Sequence, residues 1–182
     1  MNSINKVGIL GLGAYLPEKT LTNSDLEKMV DTNDEWIKTR TGISQRRIAP
    51  PEMATSDLAV LAAKSAIKNS GIKKEDIGLI IVATVTPDMM MPSTACFVQA
   101  KLGIKEAACY DLNAACSGFI FAVIAASQYI ANNTYKYALV IGAEVLSRFV
   151  DWEDRSTCIL FGDGAGACIL GKVSEPGILS AH

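Results

Sequence analysis

This sequence predicts an α/β fold in which helices are layered on a largely parallel sheet. One pointer is Gly78-Leu79-Ile80-Ile81-Val82-Ala83-Thr84-Val85, a continuous apolar and β-branched run of the kind that forms a strand buried on both faces. Another is the stretch from about Ser56 to Asn69, where Leu58, Leu61, Ala62, Ser65 and Ala66 recur at helical spacing and Gly71 closes the pattern. The last is the alternation of strand-like and helix-like segments that follows.

Taken in order, residues 6 to 14 read as a strand whose glycines permit close backbone approach, stopped by Leu16-Pro17. The pair Gly11 and Gly13 also invites a dinucleotide-binding reading, but Leu16 stands where the third glycine is needed. From Thr22 to Gly42 two short surface helices are expected. Asn23 or Ser24 can cap the first; Asp34-Glu35-Trp36-Ile37 opens the second with acids at its positive end, and Gly42 ends it. Beyond the buried strand come a helix near Ser93 to Leu102, a strand from Ala107 to Leu112, a helix from Ser117 to Ala131 and a strand from Tyr137 to Glu144. Two further strand segments, Cys158 to Phe161 and Ala165 to Leu170, are expected around a Gly162-Asp163-Gly164 turn. The helix starting at Ser117 is apolar almost all round (Phe119, Ile120, Phe121, Val123, Ile124), so it should lie buried between layers. No linker or low-complexity segment divides the chain.

Composition narrows the function. The chain has 182 residues, 49% of them hydrophobic and 20% charged, which suits a soluble globular domain with a real core and argues against disorder. A formal net charge of −2 with scattered basic residues excludes a nucleic-acid footprint, although a small anionic ligand needs only two or three local Lys or Arg. Met1-Asn2-Ser3-Ile4-Asn5-Lys6 lacks the pattern of a secretory signal, and the apolar stretches are too short to span a bilayer, so a cytoplasmic protein without a membrane partner is expected. The cysteines Cys96, Cys109, Cys116, Cys158 and Cys168 have no metal-ligand spacing, so no metal site is expected. In a reducing compartment they read as thiols rather than disulfides.

One of these thiols stands apart. Tyr110-Asp111-Leu112-Asn113-Ala114-Ala115-Cys116-Ser117-Gly118-Phe119 puts Cys116 where a buried strand gives way to the start of a buried helix. Unpaired N–H groups and the helix dipole favour negative charge on sulfur there, and the small neighbours leave room for a substrate carbonyl. Position alone leaves both readings open, a nucleophile and a buried structural thiol.

The wording around Cys116 adds a second argument. Asn113-Ala114-Ala115-Cys116-Ser117-Gly118-Phe119 resembles the nucleophile motif of the β-ketoacyl-[acyl-carrier-protein] synthases III, which have the thiolase fold. Two more segments match that family in order: Asp34-Glu35-Trp36-Ile37-Lys38-Thr39-Arg40-Thr41-Gly42-Ile43 and Phe161-Gly162-Asp163-Gly164-Ala165-Gly166-Ala167. The resemblance runs from about Val7 to the last residue.

It implies a thiolase-like layered α/β fold of which this chain is one of two duplicated halves, the N-terminal one, with the C-terminal half absent. It implies an acyltransferase of fatty-acid biosynthesis, in which Cys116 takes an acetyl or other short acyl group from coenzyme A and the thioester is attacked by a carbanion from malonyl-acyl-carrier protein. Thr32, Trp36, Arg40 and Arg155 match the coenzyme A positions, the indole stacking on adenine and the guanidinium supporting the nucleotide end. Trp36 and Arg40 sit in a polar segment, so replacing them is expected to cost little stability. Phe161 matches the acyl pocket. Met91, before Pro92, stands where the family commonly has a Phe that closes the partner subunit's pocket, which implies a homodimer for the full-length enzyme. Coenzyme A enters as a thioester substrate, and no resident cofactor is implied.

The same resemblance says what this chain lacks. The His and Asn used on the malonyl group, and a Gly-rich loop donating to the thioester oxygen, belong to the second half; His182 matches no catalytic position. Condensation by this half alone is not expected, and its apolar inter-half face should be bare. The competing readings are another thiolase-fold condensing enzyme and a non-catalytic half-domain that binds coenzyme A or a partner chain.

Overall fold

The structure, a computed structural model, describes residues 6–180; the expected absence of a secretory signal at residues 1–5 and the reading of His182 fall outside the described residues. The chain runs β1 (Val7–Tyr15), β2 (Thr20–Thr22), α1 (Asn23–Leu26), α2 (Asp34–Thr41), β3 (Gln45–Arg47), α3 (Thr55–Ser70), β4 (Ile77–Ala83), α4 (Thr94–Leu102), β5 (Ala108–Leu112), α5 (Gly118–Ala131), β6 (Tyr137–Val145) and β7 (Asp163–Lys172). No helix among the described residues is long and apolar enough to cross a membrane.

Five strands form one sheet in the order β1-β7-β6-β4-β5, and β2 and β3 form a small antiparallel ribbon. β4 is parallel to β5 and to β6, each reached through a crossover segment, whereas β7 runs antiparallel to both β6 and β1. The sheet is therefore mixed rather than largely parallel. β7 returns from β6 through the segment 146–162, which holds no full α-helix, and a return without a crossover gives an antiparallel neighbour.

The sheet carries helices on both faces. Leu58, Ala62 and Ala66 of α3 and Val98 of α4 pack with Ile80, Val82, Ile141 and Ile169 on one side. Ala122, Ala126 and Ile130 of α5 pack with Leu79, Ile81, Val140 and Leu170 on the other. The run expected as a doubly buried strand is thus β4, sharing its side chains between the two cores, as its unbroken apolar pattern requires. Gly11 and Gly13 settle their two readings as close approach: a Cβ on Gly13 would stand 2.2 Å from the Ala62 carbonyl oxygen and 2.3 Å from the Ala66 nitrogen, so α3 lies directly on the backbone of β1.

Several local expectations are corrected. The first helix is capped by Thr22, whose hydroxyl accepts from the Asp25 amide while the Asp25 carboxylate accepts from the Thr22 amide; Asn23 is buried instead, donating to Asp34 and to the Ile43 carbonyl. α2 starts as expected, with Asn33 accepting from the Trp36 amide, and ends at Gly42 with φ of 73°. Cys158–Phe161 is not a strand, and Asp163 and Gly164 lie inside β7 rather than in a turn. Asp163 is buried and accepts from the amides of Ala49 and Ser147 and from the Ser147 hydroxyl, so it ties β7 to the segments on either side. Gly162 does pack closely, its Cβ direction facing Arg46 Cβ at 2.9 Å, whereas Gly166 faces open space.

α5 is the largest departure. One side packs on the sheet, but Ile120 and Phe121 on the other are 56% and 49% exposed, so this helix is not sandwiched within the chain. Ile9, Leu12, Leu16 and Leu160 are exposed as well. An apolar helix and the strand beside it left open to water form the kind of face that ordinarily meets another layer.

Candidate active site

Cys116 lies in a 3₁₀ turn, Ala115–Ser117, between the end of β5 and the start of α5. The turn is tight. Ala115 takes φ of 47°, a left-handed conformation uncommon for a residue with a Cβ, and no side chain caps the first amides of α5. Gly118 lets α5 begin hard against β4, its Cβ direction reaching Ala83 Cβ at 3.3 Å. The result is an exposed thiol held at the rim of the sheet, at the start of α5. All five thiols are free; Cys158 and Cys168 are buried, and Cys96 and Cys109 are half-buried.

The thiol opens onto a cavity of about 410 Å³, whose walls include Val85, Phe119, Glu144, Leu146 and Phe161. Gly142 of β6 allows the Phe119 ring to lie over the strand at 3.4 Å from where a Cβ would be. Cys116 and Phe161, singled out separately in the sequence, therefore share one site. Met91 does not line it: its side chain projects into solvent with 83% exposure, next to Met90 at 100%.

Burial separates the thiols chemically. Cys168 is pushed up to about 12 by burial alone, Cys109 to about 11 chiefly by burial, and Cys158 upward chiefly by burial and then by Asp154. Iodoacetamide under native conditions is expected to modify Cys116 well before Cys158 or Cys168, as read by peptide mass mapping over time. Equal rates for the three would contradict the site geometry.

A second cluster forms from α2 and the segment before Phe161. The guanidinium carbons of Arg40 and Arg155 stand 4.7 and 5.0 Å from the Trp36 ring centroid, and Arg155 also pairs with Asp31 at 3.2 Å. Beside them a cleft of about 420 Å³ is lined by Asn33, Glu35, Trp36, Thr39 and Arg40. Thr32 Oγ1 is buried without a hydrogen-bond partner, a state that a bound polar group would relieve. The structure thus brings Trp36, Arg40 and Arg155 together. The indole is half-buried against the cluster of Leu26, Ile37, Cys158 and Ile159, so it also carries packing that the sequence reading did not assign to it.

The two clusters are joined through one buried cation. Arg46 donates to the Leu21 carbonyl, to Asn23 Oδ1 and to the Ile159 carbonyl at 2.8 Å, and Asn23 in turn holds Asp34 at the start of α2. The segment bearing Arg155 and Phe161 is therefore fixed to the helix bearing Trp36 and Arg40. Neither Arg46 nor Glu144 was singled out from sequence. For Glu144 a signal existed, because it is the lone charged residue in the otherwise apolar strand β6.

A mixed sheet layered by helices, with an accessible cysteine on the turn between strand and helix, is the thiolase-like arrangement of a cysteine-bearing layered α/β protein. The family described as 3-oxoacyl-[acyl-carrier-protein (ACP)] synthase III matches residues 110–182. The β-ketoacyl-[acyl-carrier-protein] synthase III of Caldanaerobacter subterraneus is 60% identical over 176 residues, 96% of this chain and 53% of that protein. That of Clostridium acetobutylicum is 59% identical over 178 residues, 98% of this chain and 54% of the relative. Among solved structures, the 3-oxoacyl-[acyl-carrier-protein] synthase III of Aquifex aeolicus superposes with a TM-score of 0.90 at 53% identity, over 93% of this chain and 55% of that one. The priming β-ketosynthase of the R1128 polyketide pathway gives 0.93 at 34% identity, over 97% and 53%. By sequence and by fold this chain is similar to the β-ketoacyl-[acyl-carrier-protein] synthases III, and it spans about half the length of the relatives it matches.

Proposed function

We propose that this chain is the N-terminal half of an enzyme that loads a short acyl group, acetyl first among them, from coenzyme A onto Cys116 and condenses it with malonyl-acyl-carrier protein, releasing CO2. The observation that carries this reading is the exposed Cys116 lining a mostly apolar cavity, on the turn that leads into α5. The first step is a thioester exchange. The bond from the acyl carbon to coenzyme A sulfur breaks, the bond to Cys116 Sγ forms, and the cysteine proton leaves with the coenzyme A thiol. In the second, the carbon freed by decarboxylation attacks the Cys116 thioester and the cysteine leaves as thiolate. The residues that act on malonate, and the donors for the thioester oxygen, belong in this reading to a second half that packs on the exposed side of α5.

Trp36, Arg40, Arg155 and Thr32 are assigned to the nucleotide end of coenzyme A. Both guanidiniums already stand over the indole, so an adenine would join an existing stack, with Thr32 next to Asn33 at the edge of the cleft. No resident cofactor enters this scheme. Met91 reaches a second copy in a homodimer, as its projection away from its own cavity suits, and the enzyme works in the cytoplasm.

Replacing Arg40 by Ala in the full-length enzyme is expected to raise KM for acetyl-CoA about fivefold with kcat little changed, because one exposed charged contact is worth about 1 kcal/mol. Its stability should stay within about 0.5 kcal/mol. Trp36→Ala should show the same KM effect but also lose about 1–3 kcal/mol, since the indole packs on Ile37 and Ile159. Steady-state kinetics and thermal melting separate the two. Unchanged KM in both variants would remove the coenzyme A assignment.

A further inference from the structure

The cavity beside Cys116 has one wall of a different character. β6 alternates its side chains: Leu139, Ile141 and Ala143 face the α3 side and Ala138 and Val140 the α5 side. The same period puts Glu144 on the α5 side, where the Cys116 turn lies. Glu144 lines the cavity, and among the described residues no Lys, Arg or His does so. Its carboxylate is held in place from one direction. Oε1 accepts from the Val85 amide at 2.9 Å, and Oε2 accepts from the Thr86 amide at 3.1 Å, the Thr86 hydroxyl at 2.5 Å and the Thr84 hydroxyl at 3.2 Å. All four partners are neutral, and no ion pair among the described residues involves Glu144. An immobilised negative charge therefore stands in the wall of an otherwise apolar cavity.

We infer that Glu144 is a specificity-determining residue that keeps acyl groups ending in a carboxylate off Cys116, so that only neutral acyl groups prime the enzyme. This rests on the reading of Cys116 as the acyl acceptor. The need for such a device follows from the chemistry. Acetyl-CoA and an anionic malonyl thioester are open to the same exchange: acyl carbon to thiol sulfur breaks, acyl carbon to Cys116 Sγ forms, and the cysteine proton goes to the departing thiol. The bonds changed are identical, so the step itself does not discriminate and the cavity must. Two like charges about 5 Å apart at an effective dielectric near 20 repel strongly enough to slow loading on the order of 10²-fold. The four hydrogen bonds make the repulsion effective, because they prevent the carboxylate from swinging away.

The test uses the full-length enzyme and two acyl donors of matched shape, isovaleryl-CoA and malonyl-CoA, which differ at the branch by two methyls against two carboxylate oxygens. Intact mass follows each thioester on Cys116. The unaltered enzyme should load isovaleryl at least about 10-fold faster than malonyl, Glu144→Gln should shrink that ratio at least about 10-fold, and Glu144→Asp, which keeps the charge, should retain it. Malonyl loading as fast as isovaleryl in the unaltered enzyme would overturn the proposal without any variant. A folded Glu144→Gln enzyme with an unchanged ratio would overturn it as well. If neither isovaleryl-CoA nor acetyl-CoA acylates Cys116 in the unaltered enzyme, the acyl-acceptor reading fails and this inference falls with it.

Discussion

Cys116→Ala in the full-length enzyme is expected to lower condensation of acetyl-CoA with malonyl-acyl-carrier protein by at least about 10³-fold, with the melting temperature nearly unchanged. The magnitude follows from removing a covalent nucleophile, since the acyl group then has no intermediate to pass through. The stability expectation follows from position: the thiol is exposed on a turn and makes none of the buried contacts that hold α5 to the sheet. Serine is not expected to rescue, because a hydroxyl is far less acidic than a thiol and no His or Lys among the described residues lines the cavity to activate it. A Cys116→Ala enzyme that turns over within about threefold of the unaltered one would place the chemistry elsewhere.

Gly13→Ala is expected to cost about 3 kcal/mol or more. Its Cβ would lie 2.2 and 2.3 Å from backbone atoms of Ala62 and Ala66. Those are atoms of a helix packed on three strands, so neither partner gives way cheaply and the overpacking must be relieved by moving α3 off β1. Thermal unfolding of the full-length protein should show a drop of at least several degrees, with acylation of surviving native protein preserved. A melting temperature within one degree of the unaltered protein would mean that α3 does not seat on β1 as described.

Much of this was readable from local pattern. Helical spacing marked α3, the unbroken β-branched run marked β4, and Gly42 and Gly71 marked helix ends that adopt φ of 73° and 70°. Cys116 was legible because its surroundings announce a strand-to-helix junction. What escaped depends on partners distant in sequence. Gln45-Arg46-Arg47 is too polar to read as a strand and becomes one only against Thr20–Thr22. The direction of β7 is fixed by pairing with both β6 and β1. Cys158–Phe161 is apolar enough for a strand, but its carbonyl at Ile159 is taken by Arg46 and its side chains at Cys158 and Ile159 by the Leu26–Ile37 cluster. The exposure of Ile120 and Phe121 could not be seen from their apolar character, which led to the opposite expectation. Glu144 was visible as a lone charge in β6, yet its meaning came only with the loop 84–86 wrapped around it.

The most direct test of the account is the site of acylation. The full-length enzyme is incubated with acetyl-CoA in the absence of malonyl-acyl-carrier protein, quenched in acid, digested, and mapped by mass spectrometry. The account predicts one acetyl group per chain, in thioester linkage on the peptide containing Cys116 and lost on treatment with hydroxylamine. An acetyl group on any other residue, or none on Cys116 while the enzyme still condenses, would contradict it.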